Sequence, residues 1–144
     1  MFRKIKPEDK DFYINAVEEF YNSDAVLHKI PKSNIIKTFE ELIHSAKYAE
    51  AFIIEENNEK AGYALLAKTF SQEAGGLVFW IEEIFILPKF RGRGLCHKFL
   101  EFIKQNYDVK RLRLEYTESN KKVVNLYEKS GFKICEYKQM IFEC

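Results

Sequence analysis

Apolar residues recur along this chain with two different periods. In residues 8–21 they are Phe12, Ala16, Val17, Phe20 and Tyr21, and in residues 32–47 they are Ile35, Phe39, Leu42, Ile43 and Ala46. Steps of three and four put each set on one helical stripe, and Ser33 is a candidate N-cap for the second helix. Residues 2–6 read as a short first strand, and 22–31 as a loop. From residue 50 the pattern changes. Residues 50–56 read as a strand, Asn57–Asn58 as a turn, and 60–70 as the hairpin partner. Residues 77–87 are a long run of β-formers ended by Pro88.

A glycine-containing turn follows, and then the helical period returns. Leu95, Phe99, Phe102 and Ile103 share one face of 94–106. Residues 110–116 alternate like a strand, and 119–130 read as a helix closed by Gly131 at C′ with Phe132 beyond it. Residues 132–143 read as a last strand. The predicted order is β-α-α-β-β-β-α-β-α-β. The strand–turn–helix–strand unit over 77–116 implies a parallel pair with a right-handed crossover, whereas the earlier hairpin is antiparallel. The expected fold is therefore α/β in three layers: a mixed, mostly antiparallel sheet with one parallel pair and helices on both faces.

Composition narrows the function classes. A chain of 144 residues suits one domain, since domains cluster near ~100–150 residues. Hydrophobic residues at 47% and 23 basic against 22 acidic residues argue against disorder. The same balance removes the electrostatic case for general nucleic-acid or membrane-surface binding. No apolar run nears the ~20 residues of a membrane span, and no apolar stretch follows the basic start. Cys96, Cys135 and Cys144 are odd in number and widely spaced, which fits a reducing, cytoplasmic setting. His28, His44 and His97 are scattered and form no metal-ligand cluster, so no metal is expected.

The segment Arg91-Gly92-Arg93-Gly94-Leu95-Cys96 joins the long strand to the first turn of a helix. Free amides and the helix dipole attract anions there. Glycines let the backbone approach a bulky anion, and arginines grip phosphate oxygens in pairs. The physical reading is a diphosphate clamp, with a helix-initiating turn and solvated charges as the bland alternative. It is neither a GxxxxGK[ST] loop nor a GxGxxG loop, whose third glycine position is His97.

Arg91-x-x-Gly94-x-Cys96, placed after the strand that runs from Trp80 to Pro88, resembles motif A of the GNAT acetyltransferase superfamily. Asn120, Tyr127 and the following Gly131-Phe132 resemble its motif B. The order of elements matches along nearly the whole chain, and the wording around Glu82–Glu83 is closest to the polyamine and small-amine branch. One position departs from the pattern: Cys96 stands where the family has Gly or Ala.

The resemblance implies a cytoplasmic N-acetyltransferase, with acetyl-CoA as co-substrate and a small-molecule or peptide amine as acceptor. Residues 1–76 are expected to shape the acceptor side and 77–144 to hold acetyl-CoA. Arg91, Gly92, Arg93, Gly94, Leu95, Cys96 and His97 would cradle the pyrophosphate, with Asn120 on the pantetheine or phosphate arm. The backbone of Ile84, Phe85 and Ile86 would pair with pantetheine. Glu82 would take the amine proton, Glu83 would attract a cationic acceptor, and Tyr127 would protonate the CoA thiolate. Homodimers are common in the family.

Plainer readings stand beside these. Cys96 can simply pack in the first turn, Tyr127 can be a core aromatic on Val123, and Asn120 can be a helix cap. Two adjacent carboxylates in an apolar strand are costly unless solvated, paired or used, and in a regular strand they point to opposite faces. Ion pairs with Lys or Arg at a sheet edge would also account for them. A GNAT-like domain that holds CoA without turnover is the alternative function.

Overall fold

The computed structural model describes residues 1–144. Strands β1 (Phe2–Lys4), β2 (Ala49–Glu56), β3 (Glu59–Ser71), β4 (Gly76–Ile86) and β5 (Arg111–Leu114) form one sheet in sequence order. The first three pairings are antiparallel, and β4 with β5 is parallel. Helices α1 (Lys10–Tyr21) and α2 (Lys32–His44) cover one face. Helix α3 (Leu95–Asn106) covers the other, where Tyr127 of α4 (Lys121–Lys129) joins the same apolar layer. The expected fold class is therefore the observed one.

Each layer follows from the periodicity of its strands and helices. Tyr13, Val17 and Phe20 of α1 and Ile35 and Phe39 of α2 bury against Ile53, Tyr63 and Phe85. Phe99, Leu100 and Ile103 of α3 bury against Phe52, Leu66, Phe79 and Ile81. The β2–β3 hairpin closes through Asn57 and Asn58 at φ 51° and 63°, the left-handed pair that a two-residue turn between twisted strands requires. Asp9, fully buried just before α1, fastens β1 to that hairpin and to the start of the helix. Its carboxylate accepts from Arg3 at 2.7 and 2.9 Å and from the Lys6 amide at 2.9 Å, and lies 2.7 Å from Lys60 Nζ.

The feature of β4 that positions the site is a bulge. Leu66 pairs with Ile81 and Leu65 with Glu83, so Glu82 is an extra residue on β4. Upstream, Phe79 and Ile81 face α3; downstream, Ile84 and Ile86 face α3, and Phe85 faces α1. The ladder to β5 ends at the same place, its last pair being Ile81 with Leu114.

The predicted last strand is not formed. Residues 133–144 join no ladder, and Ile134, Tyr137, Met140, Ile141 and Phe142 are exposed. The apolar residues there reach no partner strand and lie in the open, so the β-formers of the segment are not drawn into the sheet. Helix α2 also stops three residues before the predicted end, at His44, because Ser45 turns to extended backbone.

Candidate active site

The loop between β4 and α3 contains two left-handed glycines, Gly92 at φ 77° and Gly94 at φ 72°. No protein atom lies where a Cβ on either would sit, so backbone conformation rather than crowding requires glycine. Gly94 is the N-cap of α3. The amides of Gly94, Leu95, Cys96 and His97 donate to no protein acceptor, as expected of a helix start without a side-chain cap. Such free amides, at the positive end of a helix dipole, are the kind of group that can take an anion.

The two arginines do not converge on these amides. Arg91 Nε donates to the Ile86 carbonyl at 2.9 Å, and its guanidinium lies over the Phe85 ring. Arg93 donates to Glu56 Oε2 and to the Lys89 carbonyl, both at 3.1 Å, with its guanidinium over Phe90. His97 Nδ1 meets Ser130 Oγ at 3.0 Å, tying the start of α3 to the end of α4.

Beyond Ile81 the β5-facing edge of β4 is open. The Leu87 amide donates to Ala61 on β3. Strand alternation then turns the peptide of Phe85 to β3 and those of Ile84 and Ile86 to the open side. Of the three residues expected to line this edge, only Ile84 and Ile86 present backbone polar groups to it, and Arg91 already occupies the Ile86 carbonyl.

Tyr127 lies on α4 with its ring edge-on to Phe132, at 5.5 Å between centroids. The Schellman bond from the Phe132 amide to the Tyr127 carbonyl, at 3.0 Å, brings the two rings together. The Tyr127 hydroxyl stands against the Cys96 thiol, so Cys96 joins motif A to motif B. Burial pushes the thiol up to about 11, and burial together with Cys96 keeps the phenol protonated well above its ordinary range. The half-buried Cys96 is therefore held as a protonated thiol rather than a reactive thiolate. Asn120 occupies the N-cap position of α4, but its side chain makes no capping bond.

The bulge separates the two glutamates by environment. Glu82 is exposed, yet partial burial of its carboxyl group, and then repulsion from Glu115, raises its pKa. Glu83 is 6% exposed. Its Oε2 accepts from Tyr63 at 2.6 Å and its Oε1 from Tyr21 at 2.9 Å. Burial raises the Glu83 pKa, and the two phenols oppose that rise. The expected alternative of Lys or Arg pairing is absent at both positions: no basic side chain bridges to either glutamate. Sequence reasoning missed Tyr21 and Tyr63, which read only as apolar positions on a helix and a strand.

A cavity of about 1140 Å³ runs along β5 between that strand, α4 and residues 131–139. Tyr127, Trp80 and Arg113 are on its wall, but the glycine loop is not. Position on the strands and free amides, not cavity size, therefore locate the site.

Residues 14–132 match the profile of the acetyltransferase (GNAT) family, and the chain belongs to that family. Over 84 residues it is 32% identical to the uncharacterized N-acetyltransferase YhfO of Bacillus subtilis (strain 168). That match covers 56% of each protein, so the chain spans little more than half the length of this curated relative. Among solved structures, an integron cassette protein from the mobile metagenome of Cole Harbour Salt Marsh is similar at TM-score 0.80 and 25% identity, over 99% of this chain and 89% of that one. The aminoglycoside N-acetyltransferase AAC(6')-Iy in complex with CoA is similar at 0.76 and 17%, over 100% and 93%. The ribosomal-protein-alanine N-acetyltransferase of Brucella melitensis biovar Abortus 2308 is similar at 0.71 and 14%, over 100% and 98%. At these last two identities the likeness is one of fold.

Proposed function

We propose that this protein transfers an acetyl group from acetyl-CoA to a primary amine, by direct attack with both substrates bound. The observation that carries the reading is the cradle of free amides at Gly94–His97, beside a β4 edge whose ladder to β5 stops at Ile81. The cradle suits the pyrophosphate, because oriented amides stabilise negative charge without reorganising. The open peptide of Ile84 and the free N–H of Ile86, whose carbonyl Arg91 holds, suit the amides of pantetheine, which would add to β4 as a short strand does. Arg91 and Arg93 contribute their charge from the flanks, and Asn120 has an uncommitted side chain with which to bind the cofactor arm.

The chemistry needs a proton removed and a proton supplied. An ammonium has no lone pair, so the acceptor must lose a proton before attack. Glu82, accessible and with a raised pKa, receives that proton directly or through water. The amine nitrogen then bonds to the thioester carbonyl carbon, the carbon–sulfur bond breaks, and the nitrogen gives up its second proton to water, from which Tyr127 regains the one it donates. The departing thiolate takes its proton from Tyr127, whose phenol stays protonated at neutral pH. Holding both substrates in line supplies much of the remaining acceleration.

The test is incubation with acetyl-CoA and a panel of amines, following thiol release. Release that depends on an amine is expected. Coenzyme A binding without release for any amine would favour a CoA-holding module, the reading to which the thiol at Cys96 lends some support. No affinity for coenzyme A would remove both.

A further inference from the structure

The hydroxyl of Tyr21 is a polar group that the reaction above leaves unused. It belongs to the last residue of α1, where the chain enters the loop 22–31, and it reaches across to β4 just beyond the bulge. Its one proton is committed to Glu83 Oε1 at 2.9 Å. Burial and the Glu83 carboxylate hold the phenol's pKa well above its ordinary value, and the field of Glu82 adds to this. Tyr21 therefore stays protonated, with both glutamates close by.

A phenol whose only hydrogen is donated elsewhere has just its lone pairs to offer, so a partner must bring an N–H or O–H. Glu83 fixes this polarity. Its second oxygen is taken by Tyr63 at 2.6 Å, and no basic residue competes for the carboxylate. Tyr21 is only half-buried, whereas Tyr63 and Tyr13 are closed off in the core. Of the three tyrosines near Glu83, Tyr21 alone is partly open to solvent.

We propose that Tyr21 is an acceptor-binding residue, its oxygen taking a hydrogen bond from the N–H of a cationic amine, and that Glu83 is the positioning residue that orients it. This rests on the amine-acetylating reading and assigns Glu83 a role through Tyr21 rather than by contact with the acceptor. Cationic polyamines fit the neighbourhood, since Glu82 at the bulge of β4 and Glu115, just past β5, are near enough to repel each other.

The test measures binding of spermidine and of coenzyme A separately, by calorimetry, to the wild-type chain and to the Tyr21→Phe and Glu83→Gln variants. Loss of one hydrogen bond to a charged partner predicts about tenfold weaker spermidine binding in Tyr21→Phe, with coenzyme A affinity unchanged. Glu83→Gln keeps Tyr21 but loosens its orientation, and the same selective weakening is expected. A merely structural role would move both ligands together or neither. Tyr21→Phe that binds spermidine as tightly as wild type, while Glu83→Gln also leaves it unchanged, overturns this inference alone. A wild-type chain that binds coenzyme A but not spermidine overturns the polyamine assignment and leaves the CoA reading standing.

Discussion

Tyr63 donates its phenolic proton to Glu83 at 2.6 Å, from a diagonal position across the β3–β4 ladder. The bond lies just beyond the bulge and gives a buried carboxylate one of its two donors. Removing the hydroxyl leaves Glu83 with Tyr21 alone. Tyr63→Phe is expected to cost about 2 kcal/mol in urea unfolding near neutral pH. The Glu83 pKa is already raised, and loss of a donor raises it further. The penalty therefore belongs to the charged form, and it shrinks as pH falls and the carboxyl group takes up a proton.

Asp9 behaves in the opposite sense. Burial alone would raise its pKa, but the hydrogen bonds from Arg3, Lys60 and the Lys6 amide hold it well below the carboxylate range. Its contribution is complete above the unfolded value, near about pH 4, and is lost as pH falls through the folded one. Asp9→Asn should cost about 3 kcal/mol at neutral pH and flatten the acid limb of a stability-against-pH curve. An unchanged acid limb would show that other carboxylates govern it.

Tyr127→Phe removes the proposed acid and keeps the ring on Phe132. The expected result is a fall in kcat of about 100-fold with coenzyme A affinity within a factor of about two. An unchanged kcat would remove the acid role.

Arg93 is held by Glu56 and the Lys89 carbonyl, away from the amide cradle. Glu56→Gln releases one of those holds. An exposed pair of this kind is worth at most about 1 kcal/mol, so coenzyme A should bind up to about fivefold more tightly in Glu56→Gln. Unchanged affinity would mean that Arg93 acts on the phosphates only from a distance.

Much of this was legible in the sequence because it is local. Helical stripes, the Asn57–Asn58 turn, the ending at Gly131–Phe132 and the glycine loop each depend on neighbours within a few positions. What was illegible depends on distant partners. Nothing beside Glu82 announces the bulge, which arises in the register with Leu65 and Leu66. Nothing beside Glu83 names Tyr21, 62 residues away in sequence. Arg93 looked free until Glu56, 37 residues upstream, proved to hold it. Residues 132–143 have the composition of a strand, but composition does not supply a partner, and no strand lies beside them.

The additional residue at Glu82 acts as a parity switch. Before it, odd-numbered side chains of β4 point towards α3; after it, even-numbered ones do. Were Glu82 drawn into a regular ladder instead, the rest of the strand would turn over: Glu82 would stand opposite Leu65, and Glu83 would turn into the apolar layer under α3. A single-codon deletion of Glu82, by contrast, would spare both faces of the domain and remove only the outward carboxylate, which separates the chemistry of that position from the folding of the strand.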